Sequence, residues 1–268
     1  RELTGANVPF GRWLFGGQLN AEAWLYWKDG RVERVHGGVE GTGRLQVADG
    51  AGVDFDALRV GGIWQRTADG WQAGLDQLRL EASQRVWRLE QVYAERRGGR
   101  LFARGGLVDL AGVAPLAELL AAADPPLGGR LRGLDPALRA RDWRLMQQGG
   151  DDDRRLRLAA QVDELGWQPD GRVPGLDGLA GELRLSESAA SFSLQGAPHL
   201  QLTAPSVYAQ PLALDVARGT LTAQWSAAGV LAQLEGFSVR SGSIDLAGRG
   251  RLSLPAQGEP DLFIQATT

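Results

Sequence analysis

Cysteine is absent from this chain of 268 residues, which excludes disulfide bonds and thiolate metal ligands. Such a composition suits an oxidising compartment without requiring one. Histidine is scarce too. His36 and His199 are the only two, neither has a histidine at helical spacing, and no zinc site is expected. A basic excess is also missing, since 29 basic and 32 acidic side chains leave a formal charge of −3. Nucleic-acid binders draw affinity from neutralising phosphates, so no nucleic-acid partner is expected. Lys28 is the only lysine, and arginine carries the remaining positive charge. No apolar run reaches the roughly 18–20 residues that a membrane-spanning helix needs. No signal peptide is visible, and the chain begins at Arg1 instead of methionine. We expect a segment excised from a longer chain, with any membrane contact made by parts absent here.

Catalytic patterns are missing as well. Lys28 is followed by Asp29 and has no glycine before it, so there is no phosphate-binding loop. Gly41-Thr42-Gly43 lacks the third glycine of a dinucleotide fingerprint, because Gln46 stands there and strand-like residues follow. No serine sits in a Gly-x-Ser-x-Gly elbow. Asp54 and Asp56 alternate, but Leu58 breaks a calcium loop, and Val53 and Phe55 make the pair the wet side of a strand. Asp151-Asp152-Asp153 reads as a polar turn. We therefore expect no enzyme, no metal and no cofactor.

What is present is alternation. Apolar and polar residues exchange over five to nine positions, the period of a half-buried strand. Examples are Val53–Ala57, Arg155–Val162, Glu182–Ser186, Leu200–Ala204, Thr220–Trp225 and Arg251–Leu254. Turn signals separate such runs, among them Lys28-Asp29-Gly30, Ala48-Asp49-Gly50, Ala68-Asp69-Gly70, Arg97-Gly98-Gly99 and Pro169-Asp170-Gly171. The 38 glycines suit many strands with sharp connections. Short local turns imply antiparallel meanders, of roughly sixteen to twenty strands.

One stretch differs. Val113–Ala123 is rich in helix formers, Pro115 fits an early helical position, and Asp124-Pro125-Pro126 stops the run. A second short helix is expected at Asp135-Pro136. The helix is expected to cap one end or edge of the sheet. The nine tryptophans are dispersed, which points to core or groove packing; a sugar platform is the competing use.

A sheet with one apolar face must bury it. It can pack on a second sheet, close into a barrel, or curl into a gutter that receives a ligand, and periodicity does not choose among these.

The succession Leu165-Gly166-Trp167-Gln168-Pro169, Val173 to Leu183, Leu200 to Pro205, Gln210 to Asp215 and Gly219 to Trp225 resembles the YhdP family of AsmA-like envelope proteins of Gram-negative bacteria. Upstream, Leu110–Leu116 and Leu131–Pro136 resemble that family's helical insertion and the link after it. The resemblance covers the chain from about residue 107 to its end. It implies a mainly β fold: a long curved antiparallel sheet forming a repeating β-groove, with a short helical insertion. All of 1–268 would be one groove segment, with the insertion at about 111–141. The implied role is carriage of phospholipids toward the outer membrane by a periplasmic protein anchored in the inner membrane. Phospholipid acyl chains are the implied partner, and other envelope proteins are a second class. Alternation puts Leu45, Val47, Leu156, Leu158, Leu183, Leu185, Phe192, Leu194, Leu200, Leu202, Leu221, Leu252 and Leu254 on the apolar lining. The alternative is a structural or protein-binding β-sandwich scaffold of the envelope.

Overall fold

The computed structural model describes residues 13–47, 52–121, 125–149, 155–171, 173–195, 200–205, 209–242, 244–257, 259 and 261–267. The first part of the chain is a continuous meander: β1 (Trp13–Lys28), β2 (Arg31–Val47), β3 (Gly52–Thr67), β4 (Gly70–Ala82), β5 (Arg85–Arg97) and β6 (Arg100–Leu110). Two short helices follow, α1 (Ala114–Ala121) and α2 (Pro125–Leu134). The meander resumes with β7 (Ala137–Gln148), β8 (Arg155–Trp167), β9 (Gly175–Ser186) and β10 (Ala189–Gln195). After a small hairpin, β11 (Leu200–Thr203) and β12 (Leu212–Leu214), it ends with β13 (Val216–Ser226), β14 (Gly229–Ser241), β15 (Ile244–Pro255) and β16 (Asp261–Thr267).

Every neighbouring pair is antiparallel, and β1 to β10 run on through β13 to β16 in one 16-stranded sheet. β1 and β16 are its edges, so the described strands close no barrel. They form no second sheet either, which leaves the sandwich without a partner layer. At about 4.8 Å per strand, the fourteen strands of the main path extend roughly 60 Å. The hairpin turns carry the expected chemistry. Asp29 and Gly30 both have positive φ, 49° and 74°, as a two-residue primed turn requires. Ser83 and Gln84 make the same kind of turn, at φ 52° and 64°, without glycine.

Most of these strands exceed the usual length of five or six residues, and most contain a bulge or register shift near the middle. In β3, Gly41 of β2 faces Leu58 and Gly43 faces Phe55, so two residues of β3 oppose one. The apolar alternation slips by one position at that point: Val53 and Phe55 before it, Leu58, Val60 and Trp64 after it. β4 changes from Ala73 and Leu75 to Leu78 and Leu80 across Asp76. β8 changes from Ala160 and Val162 to Leu165 across the shift after Val162. β14 changes from Ala232 and Leu234 to Phe237 and Val239. An extra residue turns the backbone, and the shifted alternation returns the apolar side chains to the same face. Each long strand thus bends while staying greasy on one side.

That face is largely uncovered. The chain exposes 18007 Å², against roughly 11,300 Å² for a compact monomer of 28.7 kDa. Only eleven described hydrophobic residues are buried, and no described polar residue is.

The helices correct one expectation. Asp135-Pro136 does not start the second helix; it follows α2, which begins at Pro125-Pro126. Proline serves at a helix start because its missing N–H has no partner there anyway, so Pro125-Pro126, expected to stop the first helix, begins the second. The insertion expected at 111–141 contains both helices, and β7 already begins at Ala137. α1 caps one end of the sheet, its Ala117 buried and its Leu116 packed on Val53, Phe55, Ala82 and Trp87.

Candidate functional site

Directly paired residues of an antiparallel sheet point to the same side, so the register identifies the two faces. Leu158 pairs with Leu185, Leu185 with Ala190, and Ala190 with Ala223. One row further in, Ala160, Leu183, Phe192, Leu221 and Leu234 pair in turn. Ala232, Leu252 and Leu262 continue the neighbouring row to the edge strand. One step along each strand, the residues are polar: Gln161, Glu182, Ser193 and Thr220 form such a row.

Most of the expected lining residues fall on this single apolar face. Leu158, Leu183, Leu185, Phe192, Leu194, Leu221, Leu252 and Leu254 lie there in register, Leu156 follows the phase of Leu158, and Leu45 pairs with Val53. Val47 ends β2, with its side chain outside the described set. Leu200 and Leu202 lie beyond the end of β10. They belong to β11, which pairs with the first residues of β9 as β10 pairs with its later ones, and with β12 it prolongs the sheet beside β9. Leu200 is buried against Leu176, Leu179, Ala180, Leu214 and Val239. Leu200 is thus already covered by the protein's own side chains.

Exposure varies along the face. Phe192 is 8% exposed in a cluster with Ala140, Ala160 and Val162, supported by Trp143, Leu183 and Leu194. Leu221 at 44% and Leu254 at 40% stand open, as do Leu262 and Ile264 of β16. Sequence reasoning missed a second open region in the first five strands. A hollow of about 400 Å³ lies there, lined by Ala21, Ala23, Val39, Val60, Trp64, Leu75 and Val92. Its signal was Val35-x-Gly37-x-Val39 and Val60-x-Gly62-x-Trp64, in which glycine replaces a larger apolar residue. Small residues keep the floor low.

The helix-bearing end is held by a polar clamp. Both Asp135 carboxylate oxygens accept hydrogen bonds from the Arg85 guanidinium, at 2.5 and 2.6 Å. Asp135 also accepts from the Ala114 backbone N–H at 2.8 Å, which satisfies one donor at the start of α1. The Arg85 hydrogen bonds, helped by backbone donors, hold the Asp135 carboxyl below its ordinary pKa despite opposing desolvation. Trp87, 2% exposed, donates its indole N–H to the Gly112 carbonyl at 2.8 Å.

The other face is built for water. Arg44–Asp54, Arg59–Glu40, Arg141–Asp163, Arg240–Asp245 and Arg251–Asp261 pair across adjacent strands. Trp24 stacks on His36 there, with ring centroids 5.5 Å apart. His199 and Asp151-Asp152-Asp153 lie outside the described residues. Among the described residues, no group of three or more histidine and acidic side chains is placed to hold a metal. No described helix is long and apolar enough to cross a membrane.

A family model described as "YhdP protein" matches residues 3–268. No curated protein and no solved structure matches the chain.

Proposed function

We infer the role of this chain from the premise that it belongs to the YhdP family, an envelope protein family. As a periplasmic segment of a longer protein anchored in the inner membrane, it carries phospholipid acyl chains along its apolar face toward the outer membrane. It performs no chemistry on them. The supporting observation is the single apolar face that runs from β1 to β16 and stays open over most of its extent. Each methylene withdrawn from water onto that face contributes about 0.8 kcal/mol. No catalytic group is required, because the lipid enters and leaves unchanged. Headgroups stay at the mouth of the trough, in water. The interspersed charges of the outer face keep the long sheet soluble.

Leu185 lies on the apolar face beside Leu158 and Ala190. Leu185→Asp in the full-length protein is expected to block lipid passage, since an unpaired carboxylate on an apolar surface is costly. Transfer of labelled phospholipid between the two membranes is the measurement. Undiminished transfer by a folded variant would reject the reading.

A further inference from the structure

Carboxylates neutralise many arginines of the polar face, and some of those left over, Arg144 and Arg157, meet at one hollow. Arg144 and Arg157 make no ion pair and no hydrogen bond among the described residues. Arg104 stands directly opposite Arg144 in the β6–β7 register, a like-charge pairing that a bound anion would relieve. Arg104 lies over the Tyr93 ring at 5.6 Å, and Arg184 is paired with Glu182 at 2.8 Å. These four arginines surround a hollow of about 780 Å³. The size is that of a site for a small organic molecule.

The hollow opens on the polar face. Ala159, Ser191 and Thr222 belong to that side by register and form a low floor. Phe102 and Met146, paired across β6 and β7, form an apolar wall. The two features are independent. A row of small residues makes the space, and unneutralised guanidiniums border it. We propose that this hollow binds a phosphoryl group, its oxygens held by Arg144 and Arg157 and the carbon skeleton of its ester lying against Phe102 and Met146. Guanidinium forks match phosphate oxygens in shape and charge. The site is separate from the apolar trough, on the opposite side of the same strands, and stands whether or not the trough carries lipid.

Calorimetric titration of the whole chain tests it, with inorganic phosphate, dihexanoyl phosphatidate and uncharged dihexanoylglycerol as probes below micellar concentrations. The phosphatidate is expected to bind more tightly than inorganic phosphate. Arg144→Gln with Arg157→Gln should weaken it by at least about tenfold, the cost of losing charge-assisted hydrogen bonds. Arg251→Gln, which removes a paired arginine of the same face, should change nothing. Ala159→Trp keeps every charge but fills the floor, and it should also abolish binding. Equal affinity for both phosphates, with the same response to the variants, upholds the phosphoryl site and assigns it to free phosphate. Phosphatidate binding that survives the double arginine change belongs to the trough and overturns the proposal. Dihexanoylglycerol binding as tightly as the phosphatidate overturns it too. So does a polyglutamate peptide that binds through Arg144 and Arg157 more tightly than either phosphate, since the partner would then be an acidic protein.

Discussion

The two ends of the strands are built differently. At one end, α1 packs on the apolar face and buries Val53, Phe55, Ala82, Trp87 and Ala117, and Leu200 is buried where the β11–β12 hairpin prolongs the sheet. At the other end, short turns join the strands wherever the connections are described, and Val230, Leu254 and Leu262 stand uncovered. Sequence composition does not distinguish these ends, because leucine and alanine alternate equally at both. Tertiary cover does. The covered end supplies stability, and the open end keeps apolar surface available, so one sheet separates holding its shape from offering a binding surface.

Breaking the covered end should have the largest effect. Trp87→Ala removes a buried ring and the indole bond to Gly112, and should cost about 3–5 kcal/mol in urea unfolding. Asp135→Asn comes next, at about 1.5–3 kcal/mol near neutral pH, since hydrogen bonds to a charged group are lost. The lowered Asp135 pKa fixes the sign of the pH dependence. The carboxylate stabilises the fold above its unfolded pKa near ~3.9, and this contribution fades as pH falls through the folded value. The gap between the native chain and Asp135→Asn should therefore close in acid; a gap that widened would contradict the clamp.

Gly105→Ala probes the middle of the sheet. A methyl group there would collide with the Trp143 indole, which lies against the glycine. The expected loss is about 1–3 kcal/mol, the usual cost of overpacking. At the open end, Leu254→Ala should change stability by no more than about 0.5 kcal/mol. A loss there as large as that of Trp87→Ala would erase the distinction between the ends.

Much of the fold was legible because a half-buried strand has a period that nothing else shares. Alternation located the strands and their greasy residues, and Asp-Gly signals located turns such as Asp29-Gly30. The phase slips were written in the same residues, as in Phe55 followed by Leu58. They read as breaks between short strands, because a bulge is recognised only once its partner strand is known. The Ser83-Gln84 turn was silent, since neither residue advertises a positive φ. Leu200 alternates with Leu202 just as Leu183 does with Leu185. Nothing local says that its strand pairs with the start of β9, where Leu200 becomes buried against Leu176 and Leu214. The outer hollow needed the register too, because Arg104, Arg144 and Arg184 are far apart in sequence and meet only across strands.

Photocrosslinking in cells reaches the central claim most directly. A photoreactive residue at 221 or 252 replaces an apolar-face leucine, while one at 220 or 251 replaces its immediate neighbour on the polar side. Phospholipid should be captured from Leu221 and Leu252 and not from Thr220 or Arg251. Capture from all four alike, or from none, would contradict an apolar face that carries lipid.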